Sequence, residues 1–361
     1  MKIGILTFHW ATNYGAVLQA YALQQYLVKL GHQVEVINYV PSQYSKSIIK
    51  CLNIKSITNT IHKYNMLRKE HNINKFRNQY FQLSNISYNT YEELKANPPY
   101  CDVYIAGSDQ VWNQYFTSKG EGKLTLSYFL DFGLPKVKRI AYAVSFGCPE
   151  YPDELSSRVK PALDKFCAIS VRENTGRTIL NNMGYENVEV LPDPTLLLQS
   201  CEYDKFTDEE RPATNSIAVY LVNTKLDKSL KYTIKEVGRC VNCNIKYISE
   251  QHNTIYGIED WLTAIKTSKY VVTDSYHGII FAIKYKKPFA ALPVRGSGMG
   301  MNDRIFTLFS ALNIERHINN SLRVDFNYIL KSLYANVNWQ DIDSSVDIMR
   351  AKTYKFFLNN I

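Results

Sequence analysis

A histidine at the start of a predicted helix is the most chemically suggestive residue of this sequence. Tyr270–Val272 is a β-branched and aromatic run that predicts a buried strand, and Thr273–Ser275 supplies turn and N-cap residues. A helix is predicted from about His277, and Pro288 ends it. His277 is therefore expected at a sheet edge where ligands bind and where the helix dipole favours an anion. The position also allows a simpler role, in which His277 caps the helix or pairs with Asp274.

Other polar and aromatic side chains follow further predicted strands. These residues are His9, Asn13, Asp109, Trp112, Asn113, Ser145, Arg172, Glu173, Asp193, Asp274 and Ser275, and Arg295 and Arg304 follow across a glycine-rich loop. Arginines, a histidine and carboxylates at strand ends suit transfer chemistry on a phosphorylated donor and a sugar hydroxyl. Two of them have simple alternatives, because Arg172 could pair with Glu173 and Asp193 could serve as a turn residue between two prolines.

The elements that carry these residues repeat a strand, a polar terminus and a helix, which predicts a doubly wound α/β architecture. A chain of 361 residues is too long for one ordinary core, so we expect two domains. The charged segment near 199–214 suggests the boundary, with an N-terminal Rossmann-like acceptor domain at 1–205 and a C-terminal donor domain at 206–361. An amphipathic helix at 346–358 is expected to cross back to the first domain.

A basic segment at 42–84 interrupts the first predicted domain. Its basic residues are Lys46, Lys50, Lys55, Lys63, Arg68, Lys69, Lys75 and Arg77, against the single acid Glu70. Mixed with apolar residues, they predict one or two helices suited to an anionic membrane surface. A solvated helical insertion without such a role is the alternative.

The overall composition narrows the class of protein. A net charge of +9 and a pI near 9.0 favour an anionic partner. Nucleic acid is disfavoured because no zinc-finger spacing, RNA-binding signature or long basic run is present. Seven scattered cysteines indicate a reducing compartment, and no apolar run approaches the roughly 18 residues of a membrane span. We therefore expect a cytoplasmic protein, with peripheral attachment to the inner face of the membrane as an open alternative.

Six blocks of the sequence together resemble the polysaccharide pyruvyl transferase family. The blocks are GILTFHWATNYGAVLQAYAL near the N-terminus, AGSDQVWN at 106–113, YAVSFG at 142–147, SVRE at 170–173, PDPTLLL at 192–198 and TDSYHGIIFAI at 273–283. The resemblance covers nearly the whole chain. It implies two facing Rossmann-like domains of the GT-B type, phosphoenolpyruvate as donor, a sugar of a cell-surface glycan as acceptor, and a cyclic pyruvate ketal as product.

The resemblance also assigns residues to roles. It matches the family's active-site histidine to His277, its donor-binding arginine to Arg172, and a basic residue beyond the histidine helix to Arg304. Many members carry an arginine where this chain has Ser275, a contact that Arg295 could replace. Many also carry an aspartate where this chain has Ala16, which leaves Asp109 and His9 as candidates for the general base.

From these assignments we expect His277 as the acid and Asp109 as the base, with the donor held by Arg172, Ser275, Arg295 and Arg304 and the acceptor by His9, Asn13, Trp112 and Asn113. No cofactor or metal is expected, and phosphoenolpyruvate and a lipid-linked or free oligosaccharide are the expected ligands. Two other functions stay open: a GT-B glycosyltransferase that uses a nucleotide sugar, and a glycan-binding protein without catalytic activity.

Overall fold

The structure, a computed structural model, describes residues 1–44, 57–119, 124–249, 255–294, 300–315 and 324–361. The side chains of residues 57–63 and 118–119 are not included in that description. The described chain divides into two compact units. Unit 1 comprises Met1–Ile48, Tyr80–Leu198 and Val346–Ile361, and unit 2 comprises Ile49–Gln79 and Gln199–Ser345.

The helices and strands alternate along the chain. In order, the first are β1 (Lys2–Leu6), α1 (Tyr14–Lys29), β2 (Gln33–Tyr39), α2 (Ile57–Tyr80), β3 (Leu83–Tyr88), α3 (Tyr91–Ala96), β4 (Val103–Ala106), α4 (Gln114–Lys119), β5 (Lys138–Val144), α5 (Asp153–Leu163), β6 (Ala168–Val171), α6 (Asn174–Asn182) and β7 (Val188–Val190). There follow α7 (Cys201–Asp204), β8 (Thr214–Tyr220), α8 (Lys228–Cys240), β9 (Asn244–Tyr247), α9 (Ile258–Thr267), β10 (Ser268–Thr273), α10 (Tyr276–Lys284), β11 (Phe289–Ala291), α11 (Asn302–Ala311), α12 (Phe326–Tyr334) and α13 (Trp339–Asn360).

Unit 1 contains a seven-stranded parallel sheet in the order β3-β2-β1-β4-β5-β6-β7, counted over the described residues. The strand order reverses between β1 and β4, so the carboxyl ends of these two strands mark the crevice where open α/β sheets bind ligands. Ile3 and Ile5 of β1 pack in one core cluster with Leu23 and Leu27 of α1. Phe357 near the end of α13 belongs to the same cluster, and this anchors the last helical turns in unit 1.

Unit 2 contains a four-stranded parallel sheet in the order β11-β10-β8-β9 within the described part of the chain. Its strand order reverses between β8 and β10, which gives this unit a second crevice at its own carboxyl edge. Val219 and Val272 of the two central strands are fully buried, and Ile234 of α8 and Ile329 of α12 pack in the same cluster. The doubly wound α/β architecture predicted from the sequence is thus confirmed in both units.

Helix α2 differs from the expected basic surface helix. Phe76 is fully buried and packs edge-to-face on Phe206 at 4.9 Å, so this face of the helix belongs to unit 2. Lys69 is 1% exposed and Arg77 is 6% exposed. Arg77 donates to Glu70 at 2.7 Å, and this pairing compensates the cost of burying its charge. Two of the basic residues in the predicted insertion therefore face inward.

The predicted membrane role of this segment stays a prediction. Lys46, Lys50 and Lys55 lie outside the described residues, as does the side chain of Lys63. Arg68 and Lys75 of α2 are exposed. In the described part of the chain, no helix has both the length and the apolar character to cross a membrane.

Candidate active-site residues

The loop after β1 lies at the ligand-binding crevice of unit 1. Its His9 is 2% exposed, and the ring nitrogen Nδ1 lies 3.3 Å from the carbonyl oxygen of Thr7. Asn13 is half-buried and caps α1, since its Oδ1 accepts a hydrogen bond of 3.1 Å from the N–H of Ala16. Both predicted acceptor residues therefore lie at the carboxyl end of β1, and each has a local structural partner.

Asp109 lies at the same crevice, after β4, in an unusual backbone conformation. Its φ is +79°, in the left-handed region that costs energy for a residue with a side chain. Its carbonyl oxygen accepts a hydrogen bond of 2.9 Å from the N–H of Ser145, and its Oδ1 accepts one of 2.9 Å from the N–H of Gln110. The side chain keeps 14% of its surface exposed. These contacts hold a partly exposed carboxylate at the edge of the sheet.

Arg172 lies at the end of β6 and joins two carboxylates. Its Nη1 donates to Oδ2 of Asp193 at 2.8 Å, and its Nη2 lies 3.4 Å from Oδ1 of Asp109. The side chains of Arg172 and Asp193 are both 0% exposed. Asp193 also accepts from the N–H and hydroxyl of Thr195 and from Ser108. Arg172 therefore pairs with the buried Asp193 carboxylate and orients the Asp109 side chain.

The sequence also allowed Arg172 to pair with Glu173 and Asp193 to serve as a turn residue. Glu173 uses its Oε1 to accept a hydrogen bond of 3.0 Å from the N–H of Phe146, so this carboxylate caps a neighbouring backbone group. Asp193 caps the 3-10 turn Pro194–Leu196, as expected for a turn residue, and it also pairs with Arg172. The ion pairs described for Arg172, with Asp109 and Asp193, join residues far apart in the sequence.

Trp112 is part of the interior of unit 1. It is 0% exposed, its Nε1 donates to the carbonyl oxygen of Tyr128 at 2.9 Å, and its ring stacks on Phe129 at 5.2 Å. The indole has no exposed face with which to stack on a sugar. Asn113, its half-buried neighbour, donates to Gln110 at 2.7 Å and so helps to shape the loop that carries Asp109.

The crevice of unit 2 is built around the start of α10. Ser275 is its N-cap, with Oγ accepting from the N–H of Gly278 at 3.3 Å. His277 follows in the first helical turn and is 7% exposed. Gly278 lets the helix approach the sheet, because a Cβ at this position would lie 2.5 Å from Oγ1 of Thr273 and 3.1 Å from the ring of Tyr220. The glycine thus fixes how close the histidine lies to the carboxyl end of β10.

Asp274 shapes the neighbouring loop rather than pairing with His277. Its carboxylate accepts hydrogen bonds from the backbone N–H groups of Val222, at 2.7 Å, Asn223, at 2.9 Å, and Thr224. Burial raises the pKa of Asp274, and the hydrogen bonds from the loop act in the opposite direction. In the described residues, these backbone groups satisfy the Asp274 carboxylate and connect the carboxyl ends of β8 and β10 across the crevice.

Two further side chains gather beside His277. The rings of Tyr276 and His277 are 5.4 Å apart, and the guanidinium carbon of Arg304 lies 5.6 Å from the centre of the Tyr276 ring. Arg304 is 8% exposed and extends from the first turn of α11. His277 and Arg304 therefore both lie beside Tyr276, and a histidine and an arginine suit an anionic ligand that receives a proton.

Arg295 lies outside the described residues, so its predicted donor contact stays a prediction. The loop that leads to it is fixed by Asn302, whose amide both accepts from and donates to the backbone of Val294 at 2.8 Å. Sequence reasoning missed Tyr276, Asn302 and Ser108 as parts of these sites. Only Tyr276 offered a signal, since it is adjacent to the histidine in the sequence.

Comparison with known proteins gives one family and one fold. A family model described as polysaccharide pyruvyl transferase matches residues 13–295, most of the chain. No curated protein matches the sequence significantly.

Among solved structures, a Listeria monocytogenes protein assigned as a UDP-N-acetylglucosamine 2-epimerase is 10% identical, with a TM-score of 0.50 over 97% of this chain and 90% of that one. The UDP-GlcNAc 2-epimerase of Neisseria meningitidis bound to UDP-GlcNAc is 11% identical, with a TM-score of 0.46 over all of both chains. Because the identity to the Listeria protein is only 10%, this similarity concerns the fold alone, which is the Rossmann-like GT-B type.

Proposed function

Because this chain belongs to the polysaccharide pyruvyl transferase family, we propose that it transfers pyruvate from phosphoenolpyruvate to a sugar of a cell-surface polysaccharide precursor. The product is a cyclic ketal on two hydroxyls of that sugar. The observation that carries the proposal is the grouping of His277 and Arg304 around Tyr276 at the carboxyl edge of the unit 2 sheet.

The proposed donor contacts follow from the charges of phosphoenolpyruvate. Its carboxylate and phosphate are anions, and a guanidinium binds either of them through two parallel hydrogen bonds. We assign this contact to Arg304 and, beyond the described residues, to Arg295. Ser275 supplies a hydroxyl but no charge, and its Oγ already caps α10. The first turn of α10 adds the positive end of the helix dipole.

The proposed acid is His277. Protonation of the donor's methylene carbon makes the adjacent carbon electrophilic, so the first step needs a proton donor beside the bound anion. An imidazole in the first turn of α10, within ring contact of Tyr276, is held in a defined orientation for that role.

The proposed base is Asp109. A sugar hydroxyl attacks the electrophilic carbon and loses its proton to the carboxylate. A second hydroxyl then displaces phosphate by breaking its C–O bond, passes its proton to the leaving phosphate and closes the ketal ring. Asp109 is suited to this because part of its side chain is exposed and its orientation is fixed by Gln110 and Arg172. His9 is the alternative base and is 2% exposed. Asn13 and Asn113 are proposed as acceptor contacts at the same sheet edge.

The family resemblance assigns Arg172 to donor binding, whereas its position supports an indirect contribution to the reaction. Both of its terminal nitrogens face carboxylates and the side chain is 0% exposed. We propose that it acts by positioning Asp109. The acceptor is proposed to be a lipid-linked or free oligosaccharide, and peripheral membrane attachment belongs to the same proposal.

The deciding experiment measures phosphate release from phosphoenolpyruvate with a panel of galactosides, glucosides and mannosides, both lipid-linked and free. We expect release that depends on the acceptor and that falls at least about 100-fold in His277→Ala, the size of a general-acid contribution. His71→Ala is the matched control, because His71 is exposed on α2 and has no assigned part in the reaction. Asp109→Asn should cause a comparable loss, since asparagine tolerates the same backbone conformation but accepts no proton.

Other outcomes assign a different function. Turnover of a nucleotide sugar without any use of phosphoenolpyruvate identifies a glycosyltransferase. Binding of glycans with no turnover of either donor identifies a binding protein without catalytic activity.

A further inference from the structure

Two clefts of unit 2 are lined by residues that have no assigned part in catalysis. The larger, of about 710 Å³, extends along α8 and β9, and the smaller, of about 380 Å³, lies at the starts of β8 and β10. Asn215 lines both of them. His277 follows the opposite end of β10, and at about 3.3 Å per residue the six-residue strand separates it from the smaller cleft by about 20 Å. The larger cleft lies along β9 at the edge of the sheet, and β8 separates this strand from β10. The clefts are therefore distinct from the proposed active site.

The lining of these clefts is strongly basic. Lys231, Lys235 and Arg239 line the larger cleft, and their spacing of four residues places them on one face of α8. Lys269, Lys286 and Lys287 line the smaller cleft. No aspartate or glutamate is among the described residues that line either one.

Nearby acids compensate this charge only in part. Arg239 pairs with Glu236 and Lys286 pairs with Asp343 at 2.8 Å, but all four side chains are substantially exposed, where ion pairs contribute little. Burial and the charge of Lys266 both lower the pKa of Lys287, so an anion close by would relieve an unfavourable environment. Three like charges in a row on α8 also repel one another. These features favour an anionic ligand in the clefts.

The neutral groups indicate what kind of anion fits. Asn242, Asn244 and Tyr247 line the larger cleft together with its three basic residues. Amides and a phenol are the groups that hydrogen-bond to sugar hydroxyls and pack on sugar rings, whereas a phosphate ion needs neither. A concave site also suits a chain of sugars better than the flat surface of a membrane.

We infer that the two clefts form a binding surface for an acidic oligosaccharide, with its carboxylates beside the lysines and its hydroxyls beside the asparagines. The inference rests on the proposed function for one point, namely that the ketal product carries a carboxylate on each modified sugar. Such a surface would hold the modified glycan while the chemistry takes place at the residues assigned to catalysis.

The test measures binding by isothermal titration calorimetry with the full-length protein. The probes are an oligogalacturonate of six sugars, a neutral galacto-oligosaccharide of the same length, inorganic pyrophosphate and phosphatidylglycerol vesicles. We expect the acidic oligosaccharide to bind best and to bind more weakly as salt is added. The triple variant Lys231→Gln, Lys235→Gln, Lys269→Gln should bind it about tenfold more weakly, as expected for three exposed charge contacts.

The control variant is Lys352→Gln with Lys355→Gln, two exposed lysines on α13 in unit 1. It should bind the acidic oligosaccharide as the wild type does. Preference for vesicles or pyrophosphate, equal binding of the neutral oligosaccharide, or an unchanged affinity of the triple variant would each overturn the inference. Phosphate release measured on the same variants keeps this outcome separate from the proposed reaction, because none of these lysines is assigned to it.

Discussion

The carboxyl edges of the two sheets balance buried negative charge in different ways. In unit 1, the buried Asp193 pairs with the side chain of Arg172, which is itself fully buried and also lies 3.4 Å from the partly exposed Asp109. In unit 2, the buried Asp274 is satisfied by backbone N–H groups of residues 222–224. The edge of unit 1 therefore stabilises its buried carboxylate with a basic side chain, and the edge of unit 2 stabilises its own with backbone N–H groups.

This difference indicates which kind of ligand each edge can bind. Because Asp274 is satisfied by the backbone, the charge of Arg304 and the imidazole of His277 are not required to neutralise it. Unit 2 therefore presents basic groups, which suit an anionic donor. Unit 1 presents Asp109, a carboxylate held in place by Arg172, which suits the removal of a proton from a hydroxyl.

The largest expected effect comes from removing the cation of unit 1. Arg172→Met leaves Asp193 buried without its partner, so we expect a loss of about 3–5 kcal/mol in the free energy of unfolding. Urea unfolding followed by circular dichroism measures it. Lys286→Met is the matched control, since it breaks an exposed ion pair with Asp343 and should cost less than about 1 kcal/mol. Equal losses for the two variants would show that the buried charge pair does not stabilise unit 1.

An intermediate effect is expected at the backbone-satisfied carboxylate of unit 2. Asp274→Asn replaces one accepting oxygen by a donor that faces backbone N–H groups, which should cost about 1–3 kcal/mol and lower kcat/KM by disturbing the crevice loop. Asp227→Asn is the control, because the exposed Asp227 caps α8 by accepting one hydrogen bond from the N–H of Leu230, and asparagine caps equally well. If Asp274→Asn kept the wild-type stability and rate, the backbone hydrogen bonds to Asp274 would not stabilise the edge of unit 2, and the contrast between the two edges would be wrong.

The smallest expected effect is the difference between two glycine substitutions, each at the third residue of a helix that follows an interior strand of its sheet. Gly278→Ala brings a Cβ within 2.5 Å of Thr273 and should cost about 1–3 kcal/mol, together with a lower kcat because His277 is displaced. Gly176→Ala in α6 meets its nearest atom, on Val171, at 3.2 Å and should cost less. Thermal unfolding and phosphate release measure both variants. A greater loss in Gly176→Ala would contradict the tight packing at the histidine helix.

Much of the fold was predictable because it depends on local patterns. Alternating apolar strands and helices predicted the doubly wound architecture, and the strand ending at Thr273 followed by a helix carrying His277 is present as expected. The family resemblance, carried by motifs spread along the chain, agrees with the family match. Each of these features needs only neighbouring residues or their order in the sequence.

The sequence did not predict which polar and aromatic side chains are buried. Trp112 is expected to contact a sugar but lies in the core, and Lys69 and Arg77 are expected on a basic surface but are buried. An aromatic residue after a strand has the same sequence pattern whether it faces solvent or the core. A charged residue is buried only when its partners are placed around it, and those partners are not visible in the pattern.

The sequence by itself determined the alternation of elements, the family and the place of His277 at a strand–helix junction, because these depend on local propensity and on motif order. Only the tertiary structure decided that Arg172 joins Asp109 and Asp193, that Asp274 holds a loop of backbone N–H groups, and that lysines from α8, β10 and the loop before β11 line neighbouring clefts. The physical reason is that charge balance and burial are set by which distant segments pack together, and parallel strands bring such segments to a common edge.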